Sequence, residues 1–254
     1  MDFRTFILCS LPLAFLSLAQ PRLYAQDTYS SDFRARVSAG VDWKVARGLH
    51  ATLDEQLRLE NGMSTLAKSV TTAGLDWKFC PWVKVGGDFS YIYKKDDVRR
   101  RYDLYVTGLC KPGRWTLSLR EKLLLTHKTK EFNEYQKPRN AVELKSRVKA
   151  SYTLYPLPLD PYASVEFRHI LNASHYSSLA ASSMTYTDRY LNRVRYVLGC
   201  GWKIDKHNVM DFYAMYDYGQ RKVIDANKAG ALKSISRDLS DNFTIGVAWQ
   251  FRIK

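Results

Sequence analysis

Cysteine is scarce, with four among 254 residues. Cys9 falls in the N-terminal leader, and the three that follow, Cys80, Cys110 and Cys200, are an odd number, so a complete disulfide framework cannot form. They read as small apolar packing residues. No CxxC pair or His/Cys cluster is present, which argues against a structural zinc site, and no metal or cofactor is expected. No apolar run past the leader approaches the roughly 18 residues of a transmembrane helix. No segment shows a helical stripe comparable in quality to the strand alternation, which excludes helical bundles and doubly wound folds. The mature chain has no glycine-rich phosphate loop.

Charge and aromatic residues are abundant instead. There are 39 Lys and Arg against 25 Asp and Glu, a net charge of +14, with 46% hydrophobic residues that argue against disorder. Such a balance favours anionic partners: nucleic acid, phospholipid headgroups or lipopolysaccharide. Nucleic acid drops out because the bases are spread over strand faces and rim loops, with no recognition helix or RNA motif. Tyrosine occurs 17 times, phenylalanine 11 and tryptophan 6, a wealth that suits strands and membrane interfaces.

Residues 1–25 read as a secretory signal. Arg4 supplies a short n-region, weakened by Asp2; an apolar run from Ile7 to Leu16 follows, and Leu23-Tyr24-Ala25 precede Gln26. Phe6-Ile7-Leu8-Cys9 resembles a lipobox but stands too early, with almost no apolar segment ahead of it. The mature chain, 26–254, reads as a single domain.

Its period is two. From Phe33 to Val45 the odd positions are Phe, Ala, Val, Ala, Val, Trp and Val, and the even ones are polar or glycine. After the turn 46–48 the alternation resumes with Leu49, Ala51, Leu53, Leu57 and Leu59, which predicts a hairpin. Further strands are expected near 67–80, 83–94, 101–111, 115–127, 141–155, 161–171, 189–204, 208–218 and 242–253. Short connections at 46–48, 81–82, 111–114, 156–160 and 205–207 alternate with longer polar ones at 61–66, 95–100, 128–140, 172–188 and 219–241. Tight turns at one rim and long loops at the other predict an all-β fold: an antiparallel transmembrane barrel of the outer-membrane type, with about 10–12 strands. An odd count would leave the first and last strands parallel, unless 26–32 adds a further piece.

All six tryptophans, Trp43, Trp77, Trp82, Trp115, Trp202 and Trp249, stand beside short turns or near the C-terminus, as a membrane-interface girdle requires. Tyr91, Tyr93, Tyr102, Tyr186, Tyr190, Tyr216 and Tyr218 lie toward the long loops, as a second girdle would. A hairpin repeat accompanies them: Gly40-Val41-Asp42-Trp43-Lys44 recurs as Gly74-Leu75-Asp76-Trp77-Lys78, and more loosely at 199–203 and 246–250. The polar parity would face the lumen, and Arg58, Arg120, Lys122, Arg147, Arg168, Arg193 and Arg195 on it form a candidate basic lumen, narrow or closed by long side chains. Glu55 and Glu121 break the pattern on the apolar parity. A bulge that turns them inward, or a shifted depth, is the expected remedy, ahead of a covering partner.

The opening hairpin through Leu53-Asp54-Glu55-Gln56-Leu57-Arg58-Leu59-Glu60-Asn61, Gly74-Leu75-Asp76-Trp77-Lys78 with Val83-Lys84-Val85-Gly86, and Leu117-Ser118-Leu119-Arg120-Glu121 together resemble the bacterial outer-membrane barrel family known as domain of unknown function 2490. The resemblance spans nearly the whole mature chain. It implies fold and location, the cell outer membrane, and supplies no activity. The C-terminal strand resembles the sorting signal read by the barrel assembly machinery, except that Arg252-Ile253-Lys254 follow the aromatic Phe251.

His175 and Ser177, two residues apart, resemble the rim pair of outer-membrane lipid hydrolases, yet they sit in a Ser- and Asn-rich stretch with no third group assigned to orient the imidazole. Lys94-Lys95 with Arg99-Arg100-Arg101, and Lys128, Lys130, Lys137 and Arg139, are placed in long loops, where they would meet lipopolysaccharide phosphates. The expected function is a narrow pore, a surface-binding protein or a structural partner without chemistry of its own. A lipid-modifying enzyme and a soluble periplasmic barrel holding an apolar ligand are the alternatives. Oligomeric state is not readable from the sequence.

Overall fold

The computed structural model describes residues 27–95, 97–128, 140–172, 190–226 and 232–253; the segment 1–25 read as a secretory signal, the His175/Ser177 pair, Tyr186, and the bases Lys130, Lys137 and Arg139 lie outside them. Eleven strands make one closed sheet: β1 (Asp27–Ala46), β2 (Leu49–Glu60), β3 (Thr65–Cys80), β4 (Val83–Lys94), β5 (Asp97–Cys110), β6 (Trp115–Lys128), β7 (Asn140–Tyr152), β8 (Leu159–Ile170), β9 (Tyr190–Lys203), β10 (Asn208–Ala226) and β11 (Leu232–Ile253). Every strand is one that the alternation predicts. They run from 12 residues in β2 to 22 in β11; β1, β10 and β11 extend well past the expected ranges, whereas β7 and β9 end within theirs at the C-terminal side.

Each strand pairs antiparallel with its sequence neighbours, and β1 closes the wall against β11 in parallel, from Asp27↔Arg237 to Trp43↔Ile253. This is the parallel pairing of first and last strands that an odd count requires. The reason is parity: directions alternate along a meander, so the first and eleventh strands point the same way. The directly paired Phe33 and Phe243 stack across this seam, with centroids 5.6 Å apart and planes 8° from parallel.

Strong tilt follows from the register. The row leaving β1 at Asp42, near a short turn, passes through Thr52, Gly74, Asp88, Asp103, Leu124, Glu143 and Ile170 and reaches β9 at Tyr190, by the opposite rim. A closed barrel demands this stagger, because only tilted strands keep their ladders while the sheet curves on itself.

Two of the expected long loops are largely strand. Val98 pairs with Tyr93 and Asp97 with Lys94, so 97–100 belong to β5, and β10 and β11 stay paired up to Ala226↔Leu232. Polar sequence misled here, because a strand whose outer end projects beyond an apolar belt needs no greasy face. At the 61–64 turn Asn61, Gly62 and Met63 adopt positive φ, and Asp32 accepts the Asn61 and Gly62 amides, each at 3.2 Å. At the opposite rim Gly48 has φ 77°, and a Cβ there would lie 2.5 Å from the Lys78 carbonyl oxygen, so that turn admits only glycine without strain.

The apolar parity points outward around the wall. Leu53, Leu75, Leu104, Val148, Leu198, Phe212 and Ile245 are all exposed, although they are large and apolar. The interior is filled by residues of the other parity: Ser90, Asp103, Leu124, Met215, Asp217 and Thr244 are buried inside the ring.

Candidate functional site

The four glycines of the hairpin repeat do one physical job. Each faces inward and is paired directly with an inward side chain that lies across it: Gly40 with Asp54, Gly74 with Asp88, Gly199 with Tyr162 and Gly246 with Tyr213. A Cβ would approach those side chains to 2.8, 2.4, 2.5 and 2.1 Å respectively. Gly86 receives Tyr105 in the same way, at 2.5 Å. The repeat is thus a set of seats that lay side chains flat against the wall. Cations cover two of the three seated rings from the lumen side, Lys149 at 3.5 Å over Tyr162 and Arg120 at 4.7 Å over Tyr105, and the Tyr162 hydroxyl donates to Asp211 at 2.8 Å.

All seven candidate lumen bases lie on the inward parity, but in unlike surroundings. Arg195 takes both oxygens of Asp217, at 2.6 and 3.2 Å, and reaches Glu166 at 3.4 Å. Arg193 lies 3.9 Å from the same aspartate. Lys122 bridges Asp88 at 2.6 Å and Asp103 at 3.3 Å, Arg168 pairs with Glu143, and Arg120 donates to Thr107 at 2.9 Å. Among the described residues no carboxylate lies within ion-pair distance of Arg58, which donates to Gln56 at 2.6 Å, or of Arg147.

Three further bases join them: Arg36, 3.9 Å from Asp217, and Lys68 and Lys145 with no carboxylate partner among the described residues. The parity that marks Arg58 marks these too. Arg99 and Arg101, read as loop residues, belong to β5. Arg99 donates to Asp97 at 2.5 Å, and Arg101 approaches Asp103 at 3.2 Å and donates to Ser90 at 3.0 Å. They line the interior, because β5 begins at Asp97 and its alternation turns both inward.

On the outer wall Trp43, Trp77, Trp82, Trp115, Trp202 and Trp249 are exposed and ring the short-turn rim. Tyr91, Tyr93, Tyr102, Tyr216 and Tyr218 are exposed near the other rim. Glu55 and Glu121 correct the expectation of a bulge: both are in register, Glu55 between Ala39 and Thr71 and Glu121 between Val106 and Ser146. They remain on the outer surface. Outward hydroxyls of the next strand satisfy them: Ser69 and, at 2.5 Å, Thr71 donate to Glu55, and Ser146 donates to Glu121 at 2.7 Å. No such hydroxyl pattern is visible in the strand that carries the glutamate.

A family model described as "Protein of unknown function (DUF2490)" matches residues 29–228, and the chain belongs to that family. No curated protein matches the chain. Among solved structures, the crystal structure of Pseudomonas aeruginosa OccK11 (OpdR) aligns at 13% identity with a TM-score of 0.32, over 76% of this chain and 61% of that one.

Proposed function

We propose that this protein is an integral outer-membrane β-barrel whose narrow lumen is lined by a surplus of bases and passes small anions, with no covalent chemistry of its own. One observation carries the reading. The barrel is apolar outside and charged inside, with exposed tryptophans collected at the short-turn rim and exposed tyrosines toward the other. An apolar wall costs about 25 cal/mol per Å² when held in water, and hydrocarbon removes that cost. Inside, the bases without carboxylates set the sign of the field.

Extraction that requires detergent, with heat-modifiable migration on gels, separates this reading from a soluble periplasmic barrel. In planar bilayers the purified barrel gives ohmic steps with reversal potentials displaced toward the anion. A silent bilayer, or a cation preference, would retire the pore.

A further inference from the structure

The bases of the lumen are not evenly matched. Some have partners at each rim: Arg34 meets Asp32 at 2.7 Å and Arg99 meets Asp97 at 2.5 Å by the 61–64 turn, and Lys84 meets Asp76 at 2.7 Å and Lys203 meets Asp160 at 2.6 Å at the short-turn rim. Toward the other rim Arg36, Arg58, Lys68 and Arg193 converge from β1, β2, β3 and β9. Arg36 is paired directly with Arg58 and Arg58 with Lys68 across neighbouring strands, and Arg36 and Arg193 both approach the same oxygen of Asp217. One carboxylate, Asp217, stands among them at 1% exposure, and Arg195 already engages both of its oxygens. Arg36 and Arg193 are left at 3.9 Å, the Nε of Arg193 has no hydrogen-bond partner, and no carboxylate lies within ion-pair distance of Arg58 or Lys68 among the described residues.

A folded protein holds like charges together in this way when something else completes the set. Guanidinium groups present planar donors that match tetrahedral oxyanions, and the amine of Lys68 adds a point charge. A single chloride would leave most of the repulsion in place. We propose that Arg36, Arg58, Lys68 and Arg193 form a binding site for a soluble oxyanion of two or more negative charges, of the pyrophosphate or phosphate-ester class, entering from the rim opposite the tryptophans. The proposal deepens the reading of a base-lined lumen and names what that lumen selects.

The test uses the full mature barrel in detergent with inorganic pyrophosphate as the probe, read by titration calorimetry and by the temperature at which the gel-shifting form unfolds. Pyrophosphate binds and raises that temperature, while sodium chloride at the same ionic strength does not. Arg58→Gln with Lys68→Gln weakens binding about tenfold or more, because two of the four charges are gone. Lys84→Gln, at the other rim, leaves binding within about twofold, and heat-modifiable migration verifies that each variant is folded. Equal protection by chloride, or unchanged affinity in the Arg58/Lys68 variant, overturns the site. Displacement of pyrophosphate by lipid A in the same micelles overturns its assignment to a soluble solute. A silent bilayer with binding intact would remove the pore and leave the site, whereas conducting steps without pyrophosphate binding would do the reverse.

Discussion

Tyrosine rings seated on glycines line this interior: Tyr105 on Gly86, Tyr162 on Gly199 and Tyr213 on Gly246. Gly246 allows the Tyr213 ring to lie within 2.1 Å of where a Cβ would stand, so a methyl group there forces the ring or its strand to shift. Gly246→Ala should therefore destabilise the barrel by about 1–3 kcal/mol, read as a lower urea midpoint of unfolding in micelles. Tyr213→Ala added to it should recover part of the loss, and a fully additive double variant would show that the two positions do not interact. At the other extreme of exposure, Asp205 in the β9–β10 turn accepts the side-chain amide of Asn208 at 2.8 Å and the backbone amides of His207 and Asn208 at 2.6 and 2.7 Å. These bonds favour its charged form, the Asn208 side chain foremost, and hold its pKa below the ordinary value. A carboxylate so lowered stabilises the turn above the unfolded pKa of about 3.9, and that contribution fades as pH falls through the lower, folded value. Carbon NMR titration should find Asp205 among the most acidic carboxyls of the chain, and Asn208→Ala should move it back up.

At the scale of the strand pair, the outward glutamates show how an alternation can be broken without a bulge. Hydroxyls from the next strand satisfy part of the carboxylate, yet no cation reaches Glu121 among the described residues, and the wall around it is Leu104, Val106, Leu123 and Leu144. Glu121 stands six residues from Trp115, where β6 starts, and so sits near mid-height of the wall. In a hydrocarbon setting its charge costs energy that an amide would not incur. Glu121→Gln keeps an acceptor for Ser146 and should stabilise the barrel in lipid vesicles by about 1 kcal/mol. A destabilised variant would mean that the carboxylate is matched by a cation in the membrane. The β1–β11 seam is the other element that one strand cannot announce, since its stacked Phe33 and Phe243 are 210 residues apart in the chain.

For the whole molecule, the odd strand count separates the two ends of the sheet. β1 begins at the rim that holds the 61–64 turn, and β11 finishes at the tryptophan rim. If tight turns face the periplasm, as in barrels of this architecture, then Ser30 and Ser64 lie on the cell surface and Lys206 does not. In intact cells Ser30→Cys and Ser64→Cys should react with an impermeant maleimide, and Lys206→Cys only after the outer membrane is opened. Labelling of Lys206→Cys alone would invert the orientation, and protection of Ser30→Cys would break the topology at β1.

Alternation along Phe33–Val45 and its successors determined the strands, their inward and outward faces, the tryptophan rim and the basic parity, because a strand's two faces are written at spacing two in its own residues. Local pattern could not show where the wall closes, that Arg99 and Arg101 enter the lumen, that glycine seats receive Tyr105, Tyr162 and Tyr213, or which bases end without carboxylates. Those depend on which strand lies beside which and at what register. Pairing across the β1–β11 seam brings Arg36 to Asp217 through contacts about 180 residues apart in sequence, and only a closed, tilted wall supplies such neighbours.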